Sequence, residues 1–141
     1  MDARPRHDET TYLDLTVGRY SLALLARTVL MVQQDVALGP TFELRGLEVP
    51  LADLAAVFGG PTRREAPFVV AFEADDRTAA VGVDRVSHLR HRERPLVRRL
   101  PGFGLTRPEL IEGALGDGGR LLLVLSPAAL MALTHDVTRA I

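Results

Sequence analysis

The chain has 141 residues, 47% hydrophobic and 25% charged, with a formal net charge of −1. That is enough for one domain with a core, too little for two ordinary ones, and without the global field that draws nucleic acid or anionic membranes. Cysteine is absent, which excludes disulfides, a thiolate nucleophile and cysteine-ligated zinc, and every one of the 17 basic residues is arginine.

The opening residues, MDARPRHDETT, are polar and lack the apolar stretch of a signal peptide. Residues 1–10 are therefore expected to be a disordered tail, with the cytoplasm as the default location and residues 11–141 as one domain. Leu13, Leu15 and Val17 alternate, Gly18-Arg19 turns the chain, and Tyr20, Leu22 and Leu24 alternate again, which predicts a hairpin. Thr28 to Gln33 predicts a third strand, and a short connection runs from Gln33 to Thr41. Phe42–Leu44 and Leu47–Leu51 predict two further strands about an Arg45-Gly46 turn. Leu54, Val57 and Phe58 share a helix face over 52–58, and Gly59-Gly60-Pro61 stops it.

The second half repeats the theme. Phe68–Phe72 and Thr78–Val83 flank Asp75-Asp76 as a hairpin, which Val86–Arg90 continues. A loop marked by Pro95 and Pro101 follows. Leu110–Leu115 and Leu121–Leu125 then flank the turn Asp117-Gly118-Gly119. Ser126-Pro127 reads as an N-cap and first helical residue, opening a C-terminal helix over 127–134. The apolar run from 121 to 133 is broken by that pair and falls short of the about 20 residues a bilayer needs. Many short strands split near 59–64 predict a mainly β fold in two lobes, approximately 20–60 and 66–125, with 11–19 and the C-terminal helix completing it. Leu22, Leu24, Val49, Leu54, Val70, Val81, Val83 and Leu123 are expected in the core.

Catalytic chemistry finds no footing in these residues. His88 and His91 lie three apart, so on a strand they point to opposite faces, and no carboxylate pair completes a metal site. Ser21, Ser87 and Ser126 lack a nucleophile elbow, and Asp75-Asp76 is better read as a turn. No phosphate-binding loop or HExxH motif is present. The expectation is a non-enzyme without metal or cofactor. A rival from another class is a small β-barrel binding nucleic acid through the arginine-rich run Arg85–Arg99. Its lack of aromatic stacking platforms favours a solvated strand end instead.

Four stretches in order resemble the CheW-like domains, the coupling proteins of bacterial chemosensory arrays. Leu44-Arg45-Gly46, Val49-Pro50 and Asp53-Leu54 match the L-R-G-x-V-x-P-V-x-D-L signature at its spacing. Tyr20–Leu24 is similar to the Y-A-L-x-L strand, and Ala80–Val86 to x-V-x-V-D-x-V. Leu110–Gly113 with Leu121–Leu125 is similar to the closing I-x-G and L-x-x-L-L pair. The resemblance covers residues 12–133.

The motif also has structural uses: Gly46 permits a tight reversal, Pro50 ends a strand, and Asp53 caps a helix. Arg45 is the residue folding explains least. The resemblance implies a CheW-like fold of two five-stranded SH3-like β-barrel lobes with short helices, acting as a non-catalytic adaptor. It implies a methyl-accepting chemoreceptor's hairpin tip as partner, in a groove assigned to Val29, Val32, Val83 and Val86. A CheA-type histidine kinase or another CheW is implied at the motif residues Glu43, Arg45, Gly46, Val49, Pro50 and Asp53. No nucleic acid partner and no membrane insertion are expected.

The chain departs from the pattern at Glu43, where the family has Asn, and in the short 33–41 connection. The third strand lacks its usual acid, leaving Glu43 or Glu48 as ion-pair partners for Arg45. These features suggest a divergent, shortened, FrzB-like member in which kinase coupling is weakened; ordinary receptor-to-kinase coupling is the alternative.

Overall fold

Turn chemistry and two-residue alternation lay out the described residues as ten strands and two α-helices. The computed structural model describes residues 9–93, 107–117 and 119–139. In order come β1 (Glu9–Val17), β2 (Tyr20–Leu25), β3 (Val29–Ala37), β4 (Thr41–Leu44) and β5 (Leu47–Asp53). The short helix α1 (Leu54–Val57) precedes β6 (Glu65–Ala74), β7 (Arg77–Val83) and β8 (Arg85–Glu93). The remainder is β9 (Ile111–Asp117), β10 (Arg120–Leu125) and α2 (Pro127–Arg139).

The strands form two five-stranded sheets of order β8-β1-β2-β10-β9 and β3-β6-β7-β5-β4. Within each, neighbours are antiparallel except for one parallel contact, β2 with β10 and β5 with β7. The expected two five-stranded units are therefore present, but the strands group differently from a cut at 59–64. The second sheet is the continuous stretch from β3 to β7, while the first takes β1 and β2 from one end of the chain and β8 to β10 from the other. The division falls there because β8 does not continue the β6–β7 hairpin. At Asp84 the chain crosses over, the Asp84 N–H donates to the Thr16 carbonyl at 3.0 Å, and β8 pairs with β1.

Alternation then explains the core. On β6, Val70 and Phe72 point into the cluster between the sheets, with Leu13, Leu15, Leu22, Leu24, Val81 and Val83. Val69 and Ala71 point the other way, into a cluster enclosed by the second sheet with Val36, Phe42 and Val49. A smaller cluster of Tyr12, Ala23, Leu115, Leu122 and Val124 fills the first sheet's other face. A strand buried on both faces reads as an unbroken apolar run, as Leu122–Leu125 does. All eight expected core residues are buried. Helix α2 adds Leu130 and Met131 to the cluster between the sheets.

Several boundaries differ from the sequence expectations. Strand β3 runs on to Ala37, because Val36 pairs with Ala66 and is buried among the second sheet's inner residues. The connection expected at 33–41 is thus mostly strand, leaving only 38–40 as a link. Pro50 does not end β5. It lies within it, where the strand leaves β4 (Thr41 opposite Pro50) and joins β7 (Leu51 opposite Ala80). Its missing N–H falls at the change of partner. Helix α2 extends beyond 134, capped by Ser126, whose Oγ accepts from the Ala129 N–H at 3.2 Å. The expected tail at 1–10 gives two residues to β1. Its residues 1–8, the loop with Pro95 and Pro101, and Gly118 of the last turn lie outside the described residues.

Candidate functional site

The Arg-Gly turn closes the β4–β5 hairpin with both central residues at positive φ, 52° for Arg45 and 83° for Gly46. That is the twist a two-residue hairpin demands, and it is costly for any residue but glycine. Arg45 is exposed and makes no ion pair with a described residue, so neither Glu43 nor Glu48 is its partner as expected. Glu43 and Glu48 face each other across the hairpin. The Thr41 hydroxyl donates to Glu48 Oε1 at 3.4 Å. Leu47, beside the turn, is 71% exposed.

Other motif residues face inward. Val49 is buried in the second sheet's inner cluster. Asp53 caps α1, its Oδ1 accepting from the Ala55 N–H at 3.3 Å, as expected of its place before the helix. It also does something no local spacing announces. Arg63 Nε donates to Asp53 Oδ2 at 3.0 Å and Nη2 to Oδ1 at 2.8 Å, a bidentate fork, while Nη1 donates to Asp84 Oδ1 at 2.6 Å. The second oxygen of Asp84 accepts from the Gly18 N–H at 2.6 Å.

One arginine therefore ties β5 of the second sheet, through the β7–β8 crossover, to the β1–β2 turn of the first. Desolvation disfavours the charged form of each group. The Gly18 N–H and the Arg63 hydrogen bond and charge outweigh it for Asp84, whose carboxyl is held below its ordinary range. Desolvation is likewise overcome for Arg63 by its two carboxylate partners, and its pKa is raised.

Gly82 belongs to the same junction. A Cβ there would come to 3.0 Å from Ala66 Cβ and 3.3 Å from Asp53 Oδ1, so a side chain in the V-G-V-D run would press on both where β7 closes under Asp53.

The four groove candidates separate. Val83 is 0% exposed in the core between the sheets and cannot face a partner, a correction to its assignment. Val29 and Val86 are half-buried against that core, and Val32 is 40% exposed. Strands β3 and β8 are edge strands of their sheets, and β8 approaches β6, the neighbour of β3. Cross-strand pairs share a face. Val29 pairs with Phe72, Val32 with Val70, Val86 with Leu15 and Leu89 with Leu13. All four partners lie in the cluster between the sheets, so Val29, Val32, Val86 and Leu89 stand along its rims. Leu89, 63% exposed, was missed because it sits in an arginine-rich run.

Of that run, Arg94 to Arg99 lie outside the described residues. His88 and His91 are both on β8. Asp75 and Asp76 are turn residues, both at positive φ.

A family model described as CheW-like domain matches residues 30–135. Among solved structures, the fold is similar to that of the scaffolding protein TtCheW from Thermoanaerobacter tengcongensis. The TM-score is 0.72 at 17% identity, covering 83% of this chain and 88% of that one, a likeness of fold. No curated protein matches the sequence.

Proposed function

The chain belongs to the CheW-like domain family, and on that premise we propose that it is a non-catalytic adaptor of a chemosensory array. It binds the hairpin tips of chemoreceptors and couples weakly to a CheA-type kinase. The family match across residues 30–135 carries this reading, since the family comprises scaffold and coupling proteins of chemotaxis. The receptor surface is the rim between the sheets, with Val29 and Val32 on one edge strand and Val86 and Leu89 on the other. A helical hairpin offers apolar residues at three- and four-residue spacing, which such a rim can accept.

The β4–β5 hairpin is the kinase-facing candidate. Weak coupling rests on its chemistry, since the 33–41 connection is mostly strand and supplies no argument about a trimmed loop. Glu43 stands where the family has Asn, and with Glu48 it sets two carboxylates side by side, a pair that disfavours an acidic partner. Ordinary coupling is the second reading, and the exposed Leu47 beside Arg45 favours it, as an apolar side chain for an interface to cover.

The test is titration of a receptor hairpin-tip fragment against wild type and Val32→Asp. Val32 is a cleaner site than Val29 because less of it packs on the core. The variant is expected to fold and to lose receptor affinity by tenfold or more, since burying an unpaired carboxylate costs a few kcal/mol, about 1.4 of which is a factor of ten. Unchanged affinity in folded Val32→Asp removes the rim from the receptor surface. Wild type that does not bind receptor fragments removes the adaptor reading.

A further inference from the structure

Beside the Arg63 clamp the junction of the two sheets leaves a cleft of about 400 Å³. Its apolar wall includes Tyr20, Phe58 and Pro61, and its polar side is formed by Arg19, Arg63 and Asp84. From these residues we infer that the cleft docks a partner-protein segment bearing a large apolar side chain next to a carboxylate.

The apolar half of that assignment comes from the rings. Tyr20 and Phe58 pack with centroids 5.1 Å apart and planes tilted by 38°, giving a firm wall with room in front of it for one large side chain. The anionic half comes from counting donors. A guanidinium has five N–H groups. Arg63 directs three of them at Asp53 and Asp84, which leaves one on each terminal nitrogen without a partner among the described residues. Arg19 is exposed, lies over the Tyr20 ring at 5.6 Å from its centroid, and pairs with no carboxylate among the described residues. The one acid of the lining, Asp84, is engaged at both oxygens, by the Gly18 N–H and by Arg63.

With Asp53 and Asp84 against it, the Arg63 cluster carries one net negative charge, so the cation this lining offers a carboxylate is Arg19, with the two remaining Arg63 N–H groups as donors beside it. A neutral apolar group filling the cleft would cover those N–H groups without giving them an acceptor, which is costly. A carboxylate beside the apolar group supplies one. Arginine and tyrosine framing a pocket are also the residue types in which interface energy concentrates. The cleft lies at the β1–β2 turn and the end of α1, and it shares no residue with the β3–β8 rim or the Arg45 hairpin.

The experiment is an NMR titration of the intact chain with three blocked peptides: acetyl-Gly-Leu-Glu-Gly-amide, its Gln counterpart, and acetyl-Gly-Ala-Glu-Gly-amide. The Leu-Glu peptide is expected to shift the amides of Gly18, Tyr20, Gly59 and Gly60 saturably. The other two peptides should bind about tenfold more weakly, the loss expected for one charge-assisted contact or one apolar anchor. Arg19→Ala, at an exposed position, should leave circular dichroism unchanged and weaken the Leu-Glu peptide by a similar factor.

Equal binding of the Glu and Gln peptides overturns the proposal, as does no saturable shift, or an Arg19→Ala variant that binds like wild type. Shifts of the same amides on diluting the protein alone also overturn it, because they make a second copy the occupant. Neither receptor nor kinase enters the measurement, so a negative result here leaves the adaptor reading standing.

Discussion

At the scale of single residues, Arg63 holds two carboxylates from different parts of the chain, and its removal would leave each with one backbone N–H donor, from Ala55 and from Gly18. Arg63→Met is expected to destabilise the fold by about 1.5–3 kcal/mol, the range for hydrogen bonds to charged groups, toward the lower end because the cluster keeps some contact with solvent. Urea denaturation at neutral pH measures this. The sign of the pH dependence follows from Asp84. Its folded pKa is depressed, so its contribution is fully present above the unfolded carboxylate value of about 3.9 and is lost as pH falls through the lower folded value. Asp84→Asn should cost stability at pH 7, and the gap from wild type should narrow in acid. A gap that is constant with pH would mean that the charge on Asp84 contributes nothing.

Both acids of this cluster were legible as members of motifs, and Asp53 as a helix cap. Their shared partner was not. Arg63 lies 10 residues from Asp53 and 21 from Asp84. Only the closure of β5 beside β7 brings these groups together, and no local spacing encodes that. Val83 failed as a groove residue for the opposite reason. Alternation identified it as apolar and inward, and a residue already committed to the core has no face left for a partner.

At the scale of elements, the β4–β5 hairpin separates what folding requires from what docking would use. Gly46 is at φ +83° with open space where a Cβ would stand, so Gly46→Ala costs only backbone strain, about 1–2 kcal/mol. Arg45, also at positive φ, gains from glycine. Arg45→Gly should therefore match or exceed wild-type stability in thermal unfolding while removing the side chain from the surface. An Arg45→Gly protein that is destabilised by more than about 1 kcal/mol would show a folding role for the guanidinium that its surroundings do not suggest.

Strand β7 makes the complementary case. Gly82→Ala brings a Cβ to 3.0 Å from Ala66 and should destabilise more than Gly46→Ala, because Ala66 is buried and has little room to yield. Hairpins, turns and both helix caps were readable because each is written in a few adjacent residues. The strand that changes partner at Pro50, and β8 crossing to the first sheet, were not. Alternation says that a stretch is a strand but not which strand it joins.

At the scale of the whole molecule, the second sheet is one continuous stretch inserted between the strands of the first, with the largest apolar cluster between them. The rim with Val32 and Leu89, the cleft at Tyr20 and Phe58, and the Arg45 hairpin are three separate surfaces on that frame. A scaffold that contacts several partners has use for such an arrangement. The central claim is that the chain engages receptors without strong kinase coupling. Parallel calorimetric titrations test it most directly, one with a chemoreceptor hairpin-tip fragment and one with the CheW-like barrel domain of a CheA-type kinase from the same genome. The account predicts saturable receptor binding that Val32→Asp removes, and no saturable kinase binding. Micromolar or tighter kinase binding that is lost on Arg45→Ala would contradict it and establish ordinary coupling.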